Sequence, residues 1–181
     1  MRIIGVDPGT ITTGYGIIEF ENNELKYIAS GTINIPATKD FGPRLQIIYD
    51  ELCKVIKHHK PEEFSLETAF YGKNAQSALK IGYARGVSLL AAAHNGLFIR
   101  EYSPREIKKA VVGKGASSKE QVQYMITGLL ALKKRKMKFD ESDALAAAVC
   151  HAFRITSFSN TKKCRNWKEF IDAHPDKIID A

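Results

Sequence analysis

Three apolar, β-prone segments crowd the first 35 residues: Arg2–Asp7, Gly14–Phe20 and Leu25–Ile35. The gaps between them hold turn formers, Pro8-Gly9-Thr10 and Glu21-Asn22-Asn23-Glu24, and leave no room for a helix. Strands joined this closely pair antiparallel, because a parallel return needs a crossover of a dozen residues or more. Beyond Ile35 the period changes. Leu45, Ile48, Leu52, Val55 and Ile56 recur at helical spacing as far as Lys60-Pro61. Glu63–Glu67 is a short strand, Ala75–Asn95 a long Ala- and Gly-rich helix, and Leu97–Tyr102 a fifth strand. Strands separated by helices join a sheet in parallel. Ser103-Pro104-Arg105-Glu106 is a capping box with proline at the first helical position, and Gly113-Lys114-Gly115 closes that helix. Ser117-Ser118 caps another, running to about Leu132. A basic connector, Lys133–Lys138, leads to a last core helix, Asp140–Phe153. The order β-β-β-α-β-α-β-α-α-α predicts an α/β fold. Its sheet is mixed and five-stranded, three antiparallel strands followed by parallel additions, with helices flanking it. Residues 1–156 form the predicted domain and 157–181 a polar tail.

The chain carries 27 Lys and Arg against 20 Asp and Glu, a net charge of +7. That balance suits a polyanionic partner such as nucleic acid. Cys53, Cys150 and Cys164 form no CxxC pair, which argues against a disulfide framework or a zinc site and for a reducing compartment. The N-terminus meets Asp7 and Pro8 too early for a signal peptide, and the longest apolar run, Val87–His94, is far short of a membrane span. A soluble, cytoplasmic protein is expected.

Asp7 ends the first strand and Glu67 the fourth. Functional sites of open α/β sheets form at the carboxyl ends of strands, so these two acids share a cleft if their strands are neighbours. Asp140 and Asp143, three apart at a helix start, share one face of that helix. Carboxylates gathered in one cleft repel unless cations lie between them, and oxygen-only donors suit Mg²⁺ or Mn²⁺ rather than zinc. Two such ions about 4 Å apart activate water and stabilise a leaving oxygen in phosphoryl displacement. Singly, each acid reads as ordinary: a turn residue, a strand end, a helix cap. The set carries the argument.

Six ordered blocks make the set specific. Gly5-Val6-Asp7-Pro8-Gly9-Thr10 with Thr13-Gly14-Tyr15-Gly16 resembles the opening of the RuvC resolvases, and so do the later blocks. These are Leu66-Glu67 with Phe70 and Lys73–Leu79, then Ala84-Arg85-Gly86, then Val111–Gly115, then Gln121-Val122-Gln123, then Asp140–Ala146. The resemblance covers Met1 to about Phe153. It implies a ribonuclease H-like fold and metal-dependent, symmetric nicking of four-way (Holliday) junction DNA in recombination and repair. It implies Asp7, Glu67, Asp140 and Asp143 as catalytic metal ligands, holding two Mg²⁺ per subunit with Mn²⁺ able to substitute. Family members also carry histidine where this chain has Asp140. RuvA and RuvB are the partners implied.

Lys108, Lys114 and Lys119 flank the Gly113–Gly115 loop and are the candidate phosphate contacts. Lys119 lies in the first turn of a helix, a poor dipole position for a cation, which points to a phosphate partner. The resemblance places Lys108 and Lys119 beside the active site and Phe70 at the crossover, where an aromatic can stack on an unpaired base. Two symmetric nicks require two sites, hence a homodimer. The helix Ala75–Asn95 carries apolar side chains on several faces, with Gly82 and Gly86 four apart, so Gly82, Gly86 and Leu89 mark a candidate interface. The competing possibility is a helix buried wholly within one subunit.

Two other classes fit less well. Sugar kinases and related ATPases also open with a strand, an acid and a Gly-Thr turn, but use two such domains, and neither a Walker A motif nor GxGxxG occurs here. A basic, non-catalytic nucleic-acid-binding module gives no reason for four converging acids.

Overall fold

A computed structural model describes residues 1–37, 40–68, 75–132 and 136–160, the last five as backbone only. The element order is β1 (Arg2–Asp7), β2 (Thr12–Glu21), β3 (Glu24–Asn34), α1 (Phe41–His59), β4 (Glu63–Glu67), α2 (Ala75–His94), β5 (Phe98–Tyr102), α3 (Pro104–Val112), α4 (Lys119–Leu129) and α5 (Phe139–Asn160). The strands lie in the order β3-β2-β1-β4-β5. β1, β2 and β3 pair antiparallel, whereas β4 and β5 add in parallel. The predicted mixed sheet is therefore present, and β1 and β4 are neighbours.

Alternation along the central strands divides the core in two. Ile4 and Val6 of β1, Ile17 of β2, and Phe64 and Leu66 of β4 face α1 and α2. Ile3 and Ile18 face α3, α4 and α5. Residues 5 and 7 share the face of Ile3, and on it α5 lies almost against the main chain. A Cβ added to Gly5 would stand 2.0 Å from Ala144 O, one on Gly14 2.0 Å from Asp140 O, and one on Gly16 2.6 Å from Leu145 Cγ. Gly5 and Gly16 are cross-strand partners, and Gly14 is the partner of Asp7. The helix side of this contact is equally slim: Ala144, Ala146, Ala147 and Ala148 are fully buried.

Several boundaries differ from the sequence expectation. α4 stops at Leu129, not near Leu132, because Ala131 turns to φ 55° and Leu132 N bonds back to Thr127 O. α5 begins at Phe139 and continues past Phe153 to Asn160. α2 is not enclosed: Leu79, Tyr83 and Leu90 are about half exposed, so the reading of a helix buried on all sides fails. Cys53 and Cys150 are free thiols. No helix among the described residues is long and apolar enough to cross a membrane.

The glycine contact predicts a specific pair of outcomes. Gly5→Ala should cost about 1–3 kcal/mol or more, since backbone must move to admit the methyl. Gly128→Ala, in open space on α4, should gain up to about 1 kcal/mol. Urea midpoints of the two variants check both signs.

Candidate active site

β1 and β4 run parallel, with Val6 opposite Leu66, so their last residues, Asp7 and Glu67, leave the sheet side by side. Thr13 braces the turn after Asp7: its hydroxyl donates to Gly9 O at 2.9 Å and accepts from Gly9 N at 3.3 Å. The close seat of α5 on Gly14 brings the start of that helix over the same strand end. Asp7, Glu67 and Asp143 then line one cleft of about 200 Å³ together with Lys108, Lys119, Pro104, Ile107 and Val122. Asp140 is not in that lining, but it is near enough to Asp7 for its charge to act there.

Two capping boxes deliver the lysines. Ser103 and Glu106 start α3, which carries Lys108 toward the cleft. Ser118 and Gln121 start α4, and Lys119 is its first residue. The neighbour of Lys119 in the structure is a protein carboxylate rather than a phosphate: Asp143 Oδ2 lies 2.9 Å from Lys119 Nζ. Lys114 lies exposed on the loop between these helices and does not line the cleft.

The electrostatics are those of crowded anions. Burial, reinforced by Asp143 and Asp140, lifts Asp7 from 3.8 to about 6. Burial, with Asp7 and Asp143, lifts Glu67 from 4.5 to about 7. Lys119, and for Glu67 also Lys108, pulls the other way without cancelling the effect. The hydrogen bond to Asp143 raises Lys119 in turn. Among the described residues no three His, Cys, Asp or Glu side chains are already gathered closely enough to hold an ion. The donor set nevertheless fits a hard divalent cation: oxygen ligands only, with negative charge that the chain's own lysines leave uncompensated.

Phe70 lies outside the described residues, as do the basic residues 133–135 and the tail from 161 onward. Gly82 and Gly86 lie exposed on α2, with open space beyond each Cα. Leu89 is half-buried and packs inward against the α1–α2 core. The exposed stripe is instead Leu79, Tyr83 and Leu90, which flank the glycines. Sequence reasoning also passed over Ser65, Glu63 and His151. No motif flags them, yet alternation on β4 places Glu63 and Ser65 on the face of Glu67.

A ribonuclease H-like sheet whose two central parallel strands end in half-buried carboxylates defines a class, the metal-dependent nucleases of that fold. A family model described as crossover junction endodeoxyribonuclease RuvC matches residues 3–151. The RuvC of Chloroherpeton thalassium is 44% identical over 185 residues, covering 99% of this chain and 100% of that protein. That of Pelotomaculum thermopropionicum is 47% identical over 156 residues, covering 86% and 95%. The structure of Thermus thermophilus RuvC in complex with Holliday junction substrate superposes with a TM-score of 0.82 at 28% identity, covering 88% of this chain and 97% of that one. The yeast mitochondrial Holliday junction resolvase Ydc2, 16% identical with a TM-score of 0.62, shares the fold. The chain belongs to the RuvC family of crossover junction endodeoxyribonucleases and is a hydrolase of DNA.

The raised carboxyls carry a pH signature. A carboxyl with a folded pKa above its unfolded value binds protons more tightly when folded, so metal-free stability falls as pH rises from about 4 to about 7. Asp7→Asn should remove its share, making the metal-free variant more stable than wild type at pH 7.5 by about 1–3 kcal/mol, or several degrees in Tm. Mn²⁺ should raise the Tm of wild type and not that of the variant. Thermal melts at pH 5 and 7.5, with and without metal, test this.

Proposed function

We propose that the chain resolves four-way junctions as a homodimer, and that Asp7, Glu67, Asp140 and Asp143 hold two Mg²⁺ ions per subunit, with Mn²⁺ able to substitute. The observation that carries this reading is one cleft in which three acids from β1, β4 and α5 face two lysines from α3 and α4. Metal ions bound there supply a polarised water and a counter-charge for the leaving oxygen. Lys108 and Lys119 present ammonium groups where the scissile phosphate would enter, and release of Lys119 from Asp143 frees it for a phosphate oxygen. Pro104, Ile107 and Val122 form an apolar wall that limits bulk water. Lys114, set back on the loop, fits a contact with the flanking DNA backbone. Phe70, three residues beyond Glu67, fits stacking at the crossover. A cytoplasmic location and RuvA and RuvB as branch-migration partners complete the proposal on family grounds.

The decisive experiment separates binding from cutting on one synthetic junction. Asp7→Asn, Glu67→Gln and Asp143→Asn should each lower nicking by at least about 100-fold while gel-shift affinity stays near wild type, because each loses a ligand but no phosphate contact. Near-normal nicking by any one of them would remove that residue from the metal site.

For the dimer, the supporting feature is the stripe Leu79, Tyr83, Gly86 and Leu90 on α2, spaced for one helix face, with Gly82 beside it. The glycines let a second helix approach closely, and a two-fold axis there gives one substrate two equivalent sites. Tyr83→Glu should yield folded monomer by sedimentation and uncoupled single nicks. A wild-type protein that sediments as monomer at micromolar concentration with junction bound would overturn the dimer.

A further inference from the structure

Behind the cleft, β4 and α5 are joined by a run of polar contacts that the metal-site reading leaves unused. Glu63, Ser65 and Glu67 alternate onto the same face of β4. His151, Ala147 and Asp143 repeat every four residues on the facing side of α5. At the far end, His151 Nε2 lies 3.1 Å from Glu63 Oε2. In the middle, the Ser65 hydroxyl donates to Ala147 O at 2.7 Å, fully buried. At the near end, Glu67 and Asp143 meet in the cleft. Two strand residues advance roughly 6.6 Å and four helix residues roughly 6 Å, so the rungs stay in step along the antiparallel pair.

The far rung is locked from a third side. Tyr102 OH lies 2.7 Å from His151 Nδ1. Burial holds His151 toward its neutral form. A neutral imidazole has one N–H. With Glu63 ionised, that hydrogen belongs on Nε2, and Tyr102 donates to Nδ1. Each of the three groups then has a directed partner. Tyr102 in turn accepts Thr68 N at 2.8 Å through its main-chain oxygen, gripping the residue after Glu67.

We infer that Ser65 and the Glu63–His151–Tyr102 relay are positioning residues: they set the register of α5 on β4 and so the separation of the Glu67 and Asp143 carboxylates. The inference rests on the proposed metal site. A slide of one helical turn would carry Asp143 about 5 Å away from Glu67. Leu145 in the notch at Gly16 and the buried Val149 favour the same register, and the polar rungs hold it along the stretch where α5 presents Ala144, Ala147 and Ala148.

Mn²⁺ binding to metal-free, DNA-free protein, measured by calorimetry well below each variant's melting point, tests it directly. The Mg²⁺ dependence of junction nicking is the second readout. Ser65→Ala and His151→Leu should weaken Mn²⁺ binding about tenfold and raise the Mg²⁺ midpoint to match, the scale on which groups behind metal ligands act. Junction affinity and the rate at saturating metal should stay near wild type. Glu63→Gln, which keeps an acceptor for His151, should behave as wild type. Should His151→Leu fail to fold, Ser65→Ala, which removes one hydroxyl, decides alone. Wild-type Mn²⁺ affinity in the folded ladder variants, with Glu67→Gln defective, would overturn the inference by itself. Wild-type Mn²⁺ affinity in Glu67→Gln would overturn the metal-site reading beneath it.

Discussion

Everything at the cleft depends on how closely α5 lies on the sheet. Where a helix covers a sheet through large side chains, its axis stands off by about 10 Å, as in other packed layers. Here Gly5 and Gly14 on one side and Ala144 and Ala148 on the other remove the intervening side chains, while Gly16 makes room for Leu145. Main chain meets main chain, and Asp143 arrives within electrostatic reach of Asp7 and Glu67. A bulkier seam would leave Asp7 and Glu67 as strand-end acids with no helix-borne partner. The dense contact also explains why the sheet faces are unlike: toward α1 and α2, β1 and β4 bury Ile4, Val6, Phe64 and Leu66, whereas toward the other face they present Gly5, Asp7, Glu63, Ser65 and Glu67, with Ile3 the large side chain there.

That approach comes with an electrostatic cost, because the anions it gathers are partly withdrawn from water. Asp7 and Glu67 respond by holding protons to higher pH than free carboxyls do. Among the described residues Lys119 supplies a close countercharge at Asp143, and Lys108 acts on Glu67 from the same cleft. The cleft is thus poised between internal neutralisation and a divalent cation. In the proposed function the same lysine also binds the substrate's phosphate, so two partners compete for one ammonium.

Much of this was legible in the residues. β1 and β4 were bounded correctly because Pro8-Gly9 and Pro61 punctuate short apolar runs. Both capping boxes were readable from Ser-x-x-Glu and Ser-x-x-Gln spacing. Asp7, Glu67 and Asp143 could be grouped once strand ends were assigned to one side of a parallel pair. Other features depended on three-dimensional facts. The partner of Lys119 is 24 residues away, across a loop and a basic connector. Leu89 and Leu90 are adjacent in sequence, and only the docking of α2 on α1 decides that Leu89 turns inward and Leu90 outward. Gly14 and Gly16 read as motif letters, whereas their role is to receive a helix that begins over 120 residues later. The His151 relay gave no sign at all, since a lone histidine among alanines resembles any core residue.

The order in which the acids occur along the chain has a cellular consequence. Asp7 is made first and Glu67 some way into synthesis, but the aspartates of α5 emerge only after the rest of the sheet has been made. Such long-range closure is slow to fold, and it comes late on the ribosome. A chain halted before α5 lacks two of the four acids and the helix that covers the glycine face. For the proposed metal site, translation must therefore reach α5 before all four acids are present.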